Sequence, residues 1–303
     1  MTGDKFRFRF RKAGDLRLLS HLDLARCLER MLRRAAIPFK STAGFHPAPR
    51  MIFAQSMPLG VDGLREVLEL ETTAPLDADD VRERLNRQAP RGLEFTEVRV
   101  VPMKASAVPR RMVYSLPLPA DRVEAVARCA AELLALDKVW VDRLKPRPRK
   151  LNIRQYLRGI LLVPLSPGGE GPGVRGNRGS EMIEERSGGI PNELLVSQES
   201  PSPLALPPQG RGELQIDLWV TQSGTARADE LLLLLGVADL PEAGVVLARS
   251  ELELRDETPP GQPDAPPDGP PDTAPLEYTP APAGDDDPAD PTWGLSPNGP
   301  VVE

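Results

Sequence analysis

The chain has 303 residues, a length that suggests two domains; 35 of them are proline, about twice the usual share, and only 4% are aromatic. Its net charge of −6 hides a segregation: residues 1–60 and 104–163 each carry net +8, while residues 256–303 hold eleven acids and no Lys or Arg. Two cysteines without CxxC spacing exclude a zinc knuckle and a three-cysteine iron–sulfur cradle, and no run approaches eighteen apolar residues, so no membrane span is expected.

In chain order, residues 5–12 alternate Phe6, Phe8, Phe10 with Arg7, Arg9, Arg11, the period-two signature of a strand with one apolar and one charged face. Ser20 opens a helix as N-cap, with Asp23 three residues on as a capping box. Leu24, Cys27, Leu28, Met31, Leu32 and Ala35 form its core stripe, Arg26, Arg30, Arg33 and Arg34 its opposite side, and Pro38 stops it. Strands are expected at 51–55, 65–72 and 93–101, with a helix at 77–88 whose acids lie early and arginines late, as the helix dipole prefers. The order β-α-β-β-α-β is the ferredoxin-like arrangement. It recurs as strand 111–118, helix 120–136, strand 138–144, hairpin partners 160–163 and 214–220, helix 226–235 and strand 245–254.

The expected fold class is therefore α+β: two tandem ferredoxin-like domains, 1–103 and 111–255, joined by residues 102–110. The segment 145–157 fits no element of that template. Residues 164–212 are rich in Gly, Pro, Ser and Glu, cannot bury enough apolar surface to order themselves, and are expected to be a disordered insert. Their ends resemble translated arms of a GC-rich inverted-repeat DNA element. The acidic stretch 256–303, with fourteen prolines, is expected to be a disordered tail.

Both histidines lie in one short stretch. His21, at the first turn of the basic helix beside Asp23, is placed to hydrogen-bond a substrate. His46 lies in the turn Gly44-Phe45-His46-Pro-Ala-Pro-Arg50, where Gly44 permits a positive φ and the prolines stiffen the loop. Such a loop would present the Phe45 ring, the imidazole and the Arg50 guanidinium together to something planar or anionic; otherwise Phe45 plugs the core and the turn is structural. Arg7, Arg9 and Arg11 are expected to form a cross-strand ladder with Glu69 and Glu71 on the helix-free face. The cluster Lys145, Arg147, Arg149 and Lys150, spaced by prolines, is the stronger polyanion candidate. No Ser-His-Asp set, P-loop or paired-carboxylate site is present in the sequence.

Four short motifs fall in order: Ser20-His-Leu-Asp23, Gly44-Phe-His-Pro-Ala-Pro-Arg50, the apolar strand from Met51 to Ala54, and Pro58-Leu-Gly-Val61. In these the chain resembles the radical SAM-linked protein family, whose members are encoded beside a radical SAM enzyme or fused to its C-terminal end. The likeness returns faintly at residues 151–157 and 224–233, where Asn152, Gln155 and Ala228 depart from the family pattern. The resemblance implies a radical SAM protein as partner, supplying the iron–sulfur cluster and S-adenosylmethionine, with no cofactor in this chain. Together with the basic halves it leads to an expected role as substrate-positioning subunit in RNA (tRNA or rRNA) modification. The rivals are an independent enzyme using His21, His46 and Arg50 on a small anion, and a ligand-free docking module. The opening Met-Thr-Gly-Asp-Lys-Phe lacks the apolar core of a signal peptide, so a cytoplasmic location is expected.

Overall fold

The computed structural model describes residues 3–45, 47–144, 148–164, 212–258 and 273–274. The architecture is mixed α and β, built on one large sheet. Its first half comprises β1 (Lys5–Lys12), α1 (His21–Arg34), β2 (Met51–Phe53), β3 (Asp62–Glu71), α2 (Ala78–Asn86) and β4 (Leu93–Val101). The second comprises β5 (Pro109–Leu118), α3 (Ala120–Ala135), β6 (Trp140–Arg143), β7 (Arg149–Asn152), β8 (Leu157–Pro164), β9 (Gly212–Trp219), α4 (Ala228–Leu234), α5 (Asp239–Glu242) and β10 (Ala248–Leu254). A two-residue β11 (Thr273–Ala274) follows.

The strand path is β4-β1-β3-β10-β5-β9-β8, with β2 also paired to β3. Each half contributes four strands in the same relative order, β4-β1-β3-β2 and β10-β5-β9-β8. The halves are not beads on a linker. β3 gives its C-terminal part to β2 (Phe53↔Leu68) and its N-terminal end to β10 (Ala248↔Asp62, Arg249↔Gly63). That last pairing is parallel while every other pairing in the sheet is antiparallel, which makes the sheet mixed. A second departure concerns residues 138–144: β6 leaves the main sheet and pairs with β7 and β11 in a separate three-stranded sheet. This gives the unassigned 145–157 segment part of its structure, β7 and a 3-10 turn at Arg154–Tyr156.

The alternation in β1 sorts its side chains as the pattern predicts. Phe6, Phe8 and Phe10 are buried with Leu24, Leu28, Met31 and Leu32 of α1 and Val81 and Leu85 of α2. Ser20 caps α1 by accepting from the Asp23 amide at 3.2 Å, and its hydroxyl donates to Asp23 Oδ2 at 2.7 Å. The helix ends before Pro38: Ala36, in the left-handed region at φ 50°, closes it with Ala36 N–H to Arg33 C=O and Ile37 N–H to Leu32 C=O. A second cluster of buried residues joins Leu116, Ala130, Leu214, Ile216 and Leu231 with Val61 and Val67 of the first half. Cys27 and Cys129 are free and half-buried, each packed against one of these clusters.

The charged face of β1 is not a solvent face. Arg7 and Arg9 are only 1% and 4% exposed. Arg7 binds Glu69 from Nε and Nη2 at 3.0 and 2.8 Å, the expected ladder pair, but Glu71 turns away to Lys40. The covering carboxylates come from beyond residue 255: Asp256 pairs with Arg7 at 2.8 Å, and Glu257 pairs with Arg7, Arg9 and Arg99. The stretch expected to be a disordered tail therefore begins with an anchor at 256–258; apart from Thr273 and Ala274, the rest lies outside the described residues. Burial would raise the Glu257 carboxyl, but Arg9 and Arg99 hold it below the usual glutamate range. A depressed carboxylate contributes stability that is present above its ordinary value, near 4.5, and lost as pH falls through its lower folded value. Melting temperature should accordingly drop on acidification below pH 4.5, and less steeply in Glu257→Gln. An identical acid slope in the variant would refute the anchor.

The insert, residues 165–211, lies outside the described residues, but its two ends do not. Val163 pairs with Glu213 and Pro164 with Gly212, so the chain leaves and re-enters at adjacent positions of one antiparallel pair. Replacing 165–211 by a two-residue Asn-Gly turn should close an ordinary hairpin and leave the melting temperature within a few degrees. Loss of cooperative unfolding in that deletion would show that the segment supports the fold.

Candidate functional site

The structure divides the sequence-predicted residues between separate places. His21 stands at the start of α1, exposed, with its ring edge-on to Phe53 at 4.7 Å between centroids. Asp23 serves the cap and pairs with Arg26 at 3.3 Å, so its visible work is structural. Arg50 lies at the other end of β2 and meets Glu71 at 3.5 Å, alongside Lys40 at 2.8 Å. The Lys40 ammonium, and after it Arg50, holds the Glu71 carboxyl below its usual range against the opposing effect of burial. Gly44 has φ 144°, the conformation the turn was expected to need. Phe45 is fully exposed, which removes the alternative in which it plugs the core. His46 lies outside the described residues. His21 and Arg50 thus flank β2 at opposite ends and do not converge on one point.

Of the basic cluster, Lys145 and Arg147 lie outside the described residues. Arg149 and Lys150 are half-buried residues of β7, opposite Arg143 and Asp142 of β6, rather than side chains of an extended, proline-spaced loop. Thr273 and Ala274 pair along the same strand, opposite Leu151 and Lys150.

A concavity lies elsewhere, at the junction of the halves. A cavity of about 760 Å³ is walled by the turn from Met57 to Val61 on one side and by residues 225–229 with Leu232 on the other. Two segments that carry motifs, Pro58-Leu-Gly-Val61 and the region from Gly224 onward, therefore meet across one space. The first wall owes its shape to Gly60, at φ 79°, whose N–H donates to the Arg17 carbonyl at 2.9 Å. Leu18 and Gln55 also line it.

Two ion pairs build the deeper wall. Arg249 is 1% exposed and holds Glu66 in a fork, Nε to Oε1 at 2.7 Å and Nη2 to Oε2 at 2.5 Å, while Nη1 donates to the Ser56 carbonyl at 3.1 Å. Burial acts to lower its pKa, but Glu66 and a hydrogen bond to the Tyr114 hydroxyl carry it upward on balance, so it stays charged. Arg143 makes the same fork with Glu230, at 2.6 and 2.8 Å, and its Nη2 also donates to the Thr225 carbonyl at 2.8 Å. These carboxylates have both oxygens occupied by guanidinium, which suits them to hold a wall rather than to move protons. Sequence reasoning missed all four: Glu66 and Arg249 are 183 positions apart, and no local pattern marks either pair. Among the described residues, no group of three His, Cys, Asp or Glu is arranged to hold a metal, and no helix is long and apolar enough to cross a membrane.

Residues 5–172 match the model of a family described as "Uncharacterized protein conserved in bacteria (DUF2344)". No curated protein matches the chain. Among solved structures, the chain is similar to the crystal structure of an unknown protein from Galdieria sulphuraria, at 12% identity, over 83% of this chain and 98% of that one. The TM-score is 0.22, and that likeness carries no argument.

Proposed function

Because the chain belongs to that uncharacterised bacterial family, whose description names no activity, we propose a role drawn from its site and motifs: a substrate-positioning partner of a radical SAM enzyme, acting in RNA modification. The observation that carries it is the junction cavity, where segments some 170 positions apart in the chain form opposite walls and the deep carboxylates are committed to arginine. A wall so built binds and orients; bond-breaking chemistry would come from the partner, with its iron–sulfur cluster and S-adenosylmethionine. The repeated strand order supports the finer reading of two ferredoxin-like units fused edge to edge, with the β6–β7 hairpin added to the second. RNA as substrate rests on the basic halves, including the exposed arginines Arg26, Arg30, Arg33 and Arg34 of α1. The independent-enzyme reading gains nothing from the geometry, because His21 and Arg50 contact different partners at opposite ends of β2.

The test is reconstitution. The purified chain is mixed with a radical SAM enzyme encoded beside it, with and without RNA, and retention and RNA modification are measured. The expected result is a complex whose RNA affinity falls with salt by ~0.7 in log–log slope per phosphate neutralised on a single strand. Changing Lys145, Arg147, Arg149 and Lys150 together to alanine should flatten that slope. An unchanged slope would move the RNA contact elsewhere. No enzyme retention would sink the partnership, and no RNA binding at low salt would sink the RNA substrate.

A further inference from the structure

We propose that the junction cavity is a binding site for a small organic anion, a phosphate or carboxylate carried on an apolar body, with Arg17, Arg143 and Arg227 as the candidate anion donors of its lining. The inference deepens the positioning role above and rests on that reading for its biological setting. Arg143 is the main argument. It is 7% exposed, and Glu230 and the Thr225 carbonyl lock its guanidinium through Nε and Nη2. Its Nη1 makes no hydrogen bond among the described residues, so a fixed, charged donor edge remains on a side chain that lines the cavity. A guanidinium already immobilised loses little further entropy when it takes a ligand, which makes that edge a preorganised anion donor.

Arg249 differs, since Glu66 and Ser56 occupy all three of its nitrogens and it belongs to the floor. Arg17 and Arg227 line the cavity nearer solvent. Among the described residues, Arg17 donates a hydrogen bond to the Gly14 carbonyl and its charge also acts on the Asp62 carboxylate, whereas Arg227 makes no ion pair. Among the described residues, Asp229 is the one acidic side chain in the lining. The remainder is largely apolar, with Leu18 and Leu59 61% and 67% exposed and Met57, Val246 and Leu232 beside them. Solvent-exposed leucines next to arginines with donor nitrogens to spare describe a ligand with an apolar body and an anionic group. The volume lies within the range of about 300–1,000 Å³ usual for small-molecule sites.

The experiment titrates the isolated full chain, without any enzyme partner, by calorimetry and thermal shift. One arm uses uridine and adenosine 5′-monophosphates against the nucleosides; the other uses octanoate against octanol. Binding by an anion and not by its neutral counterpart is expected in one arm, which identifies phosphate or carboxylate as the source. Arg17→Gln with Arg227→Gln should weaken it by about tenfold or more, the scale of one lost charge-assisted hydrogen bond. Asp229→Asn should leave it equal or tighter, and Leu59→Trp should block it. All three changes fall on exposed or half-buried side chains, so folding, checked by circular dichroism, is expected to persist. The site is overturned if neither anion arm binds, or if the double arginine change leaves the affinity unchanged. Either result is independent of whether the chain retains a radical SAM enzyme, so the two readings fail separately.

Discussion

Arg249→Ala is expected to lower stability by ~3–5 kcal/mol, among the largest effects available in this chain, because it strands the Glu66 carboxylate in a site where that residue is only 1% exposed. The loss does not measure what the ion pair contributes. Desolvating both charges already offsets most of their attraction, so removing both together should be far milder than removing one. The double variant Glu66→Leu with Arg249→Met should therefore be more stable than Arg249→Ala by at least about 1 kcal/mol, read from the urea midpoint at constant slope. Strict additivity of the two changes would overturn the coupling. The pair also has a positional role. Glu66 is on β3 and Arg249 on β10, beside the parallel pairing of those two strands, so the fork ties the two halves where they join.

The second large effect is expected at Phe8. Its ring is 1% exposed, edge-on to Phe95 with centroids 5.6 Å apart, and 6.2 Å from Phe6. Phe8→Ala should cost ~3–5 kcal/mol, through lost transfer energy and the space left between α1 and the sheet. Phe8→Leu, which keeps most of the volume, should cost about 1 kcal/mol. Chemical denaturation of both variants checks the ratio. Comparable losses for alanine and leucine would mean the site relaxes on truncation, and the close packing inferred for this core would be wrong.

The apolar periodicity of this chain determined most of its local structure. Alternation placed β1 at its observed bounds, the 3.6-residue stripe and the Ser20 cap placed α1, and residues 93–101 are the observed β4. These signals are legible because each is a local match of side-chain spacing to backbone repeat. The conformation of Gly44 was legible for the same reason, since a positive φ is a property of one residue.

Tertiary structure decided what those elements do. Nothing in the pattern of β3 reveals that its N-terminal end pairs with β10, because strand edges hydrogen-bond through backbone atoms that every residue shares. Nor does alternation tell a charged face turned to water from one covered by its own chain. Arg7 and Arg9 read as members of a ladder with Glu69 and Glu71 on the helix-free face, and nothing local shows that Asp256 and Glu257, some 250 positions away, cover them. The candidate site follows the same rule. The motif residues His21, Phe45 and Arg50 were visible as unusual residue types in a short stretch, whereas the cavity depends on arginines at 17, 143, 227 and 249, ordinary in their local sequence. They line one cavity only because the two halves share one sheet, which brings the turn at Pro58 against the segment at Thr225.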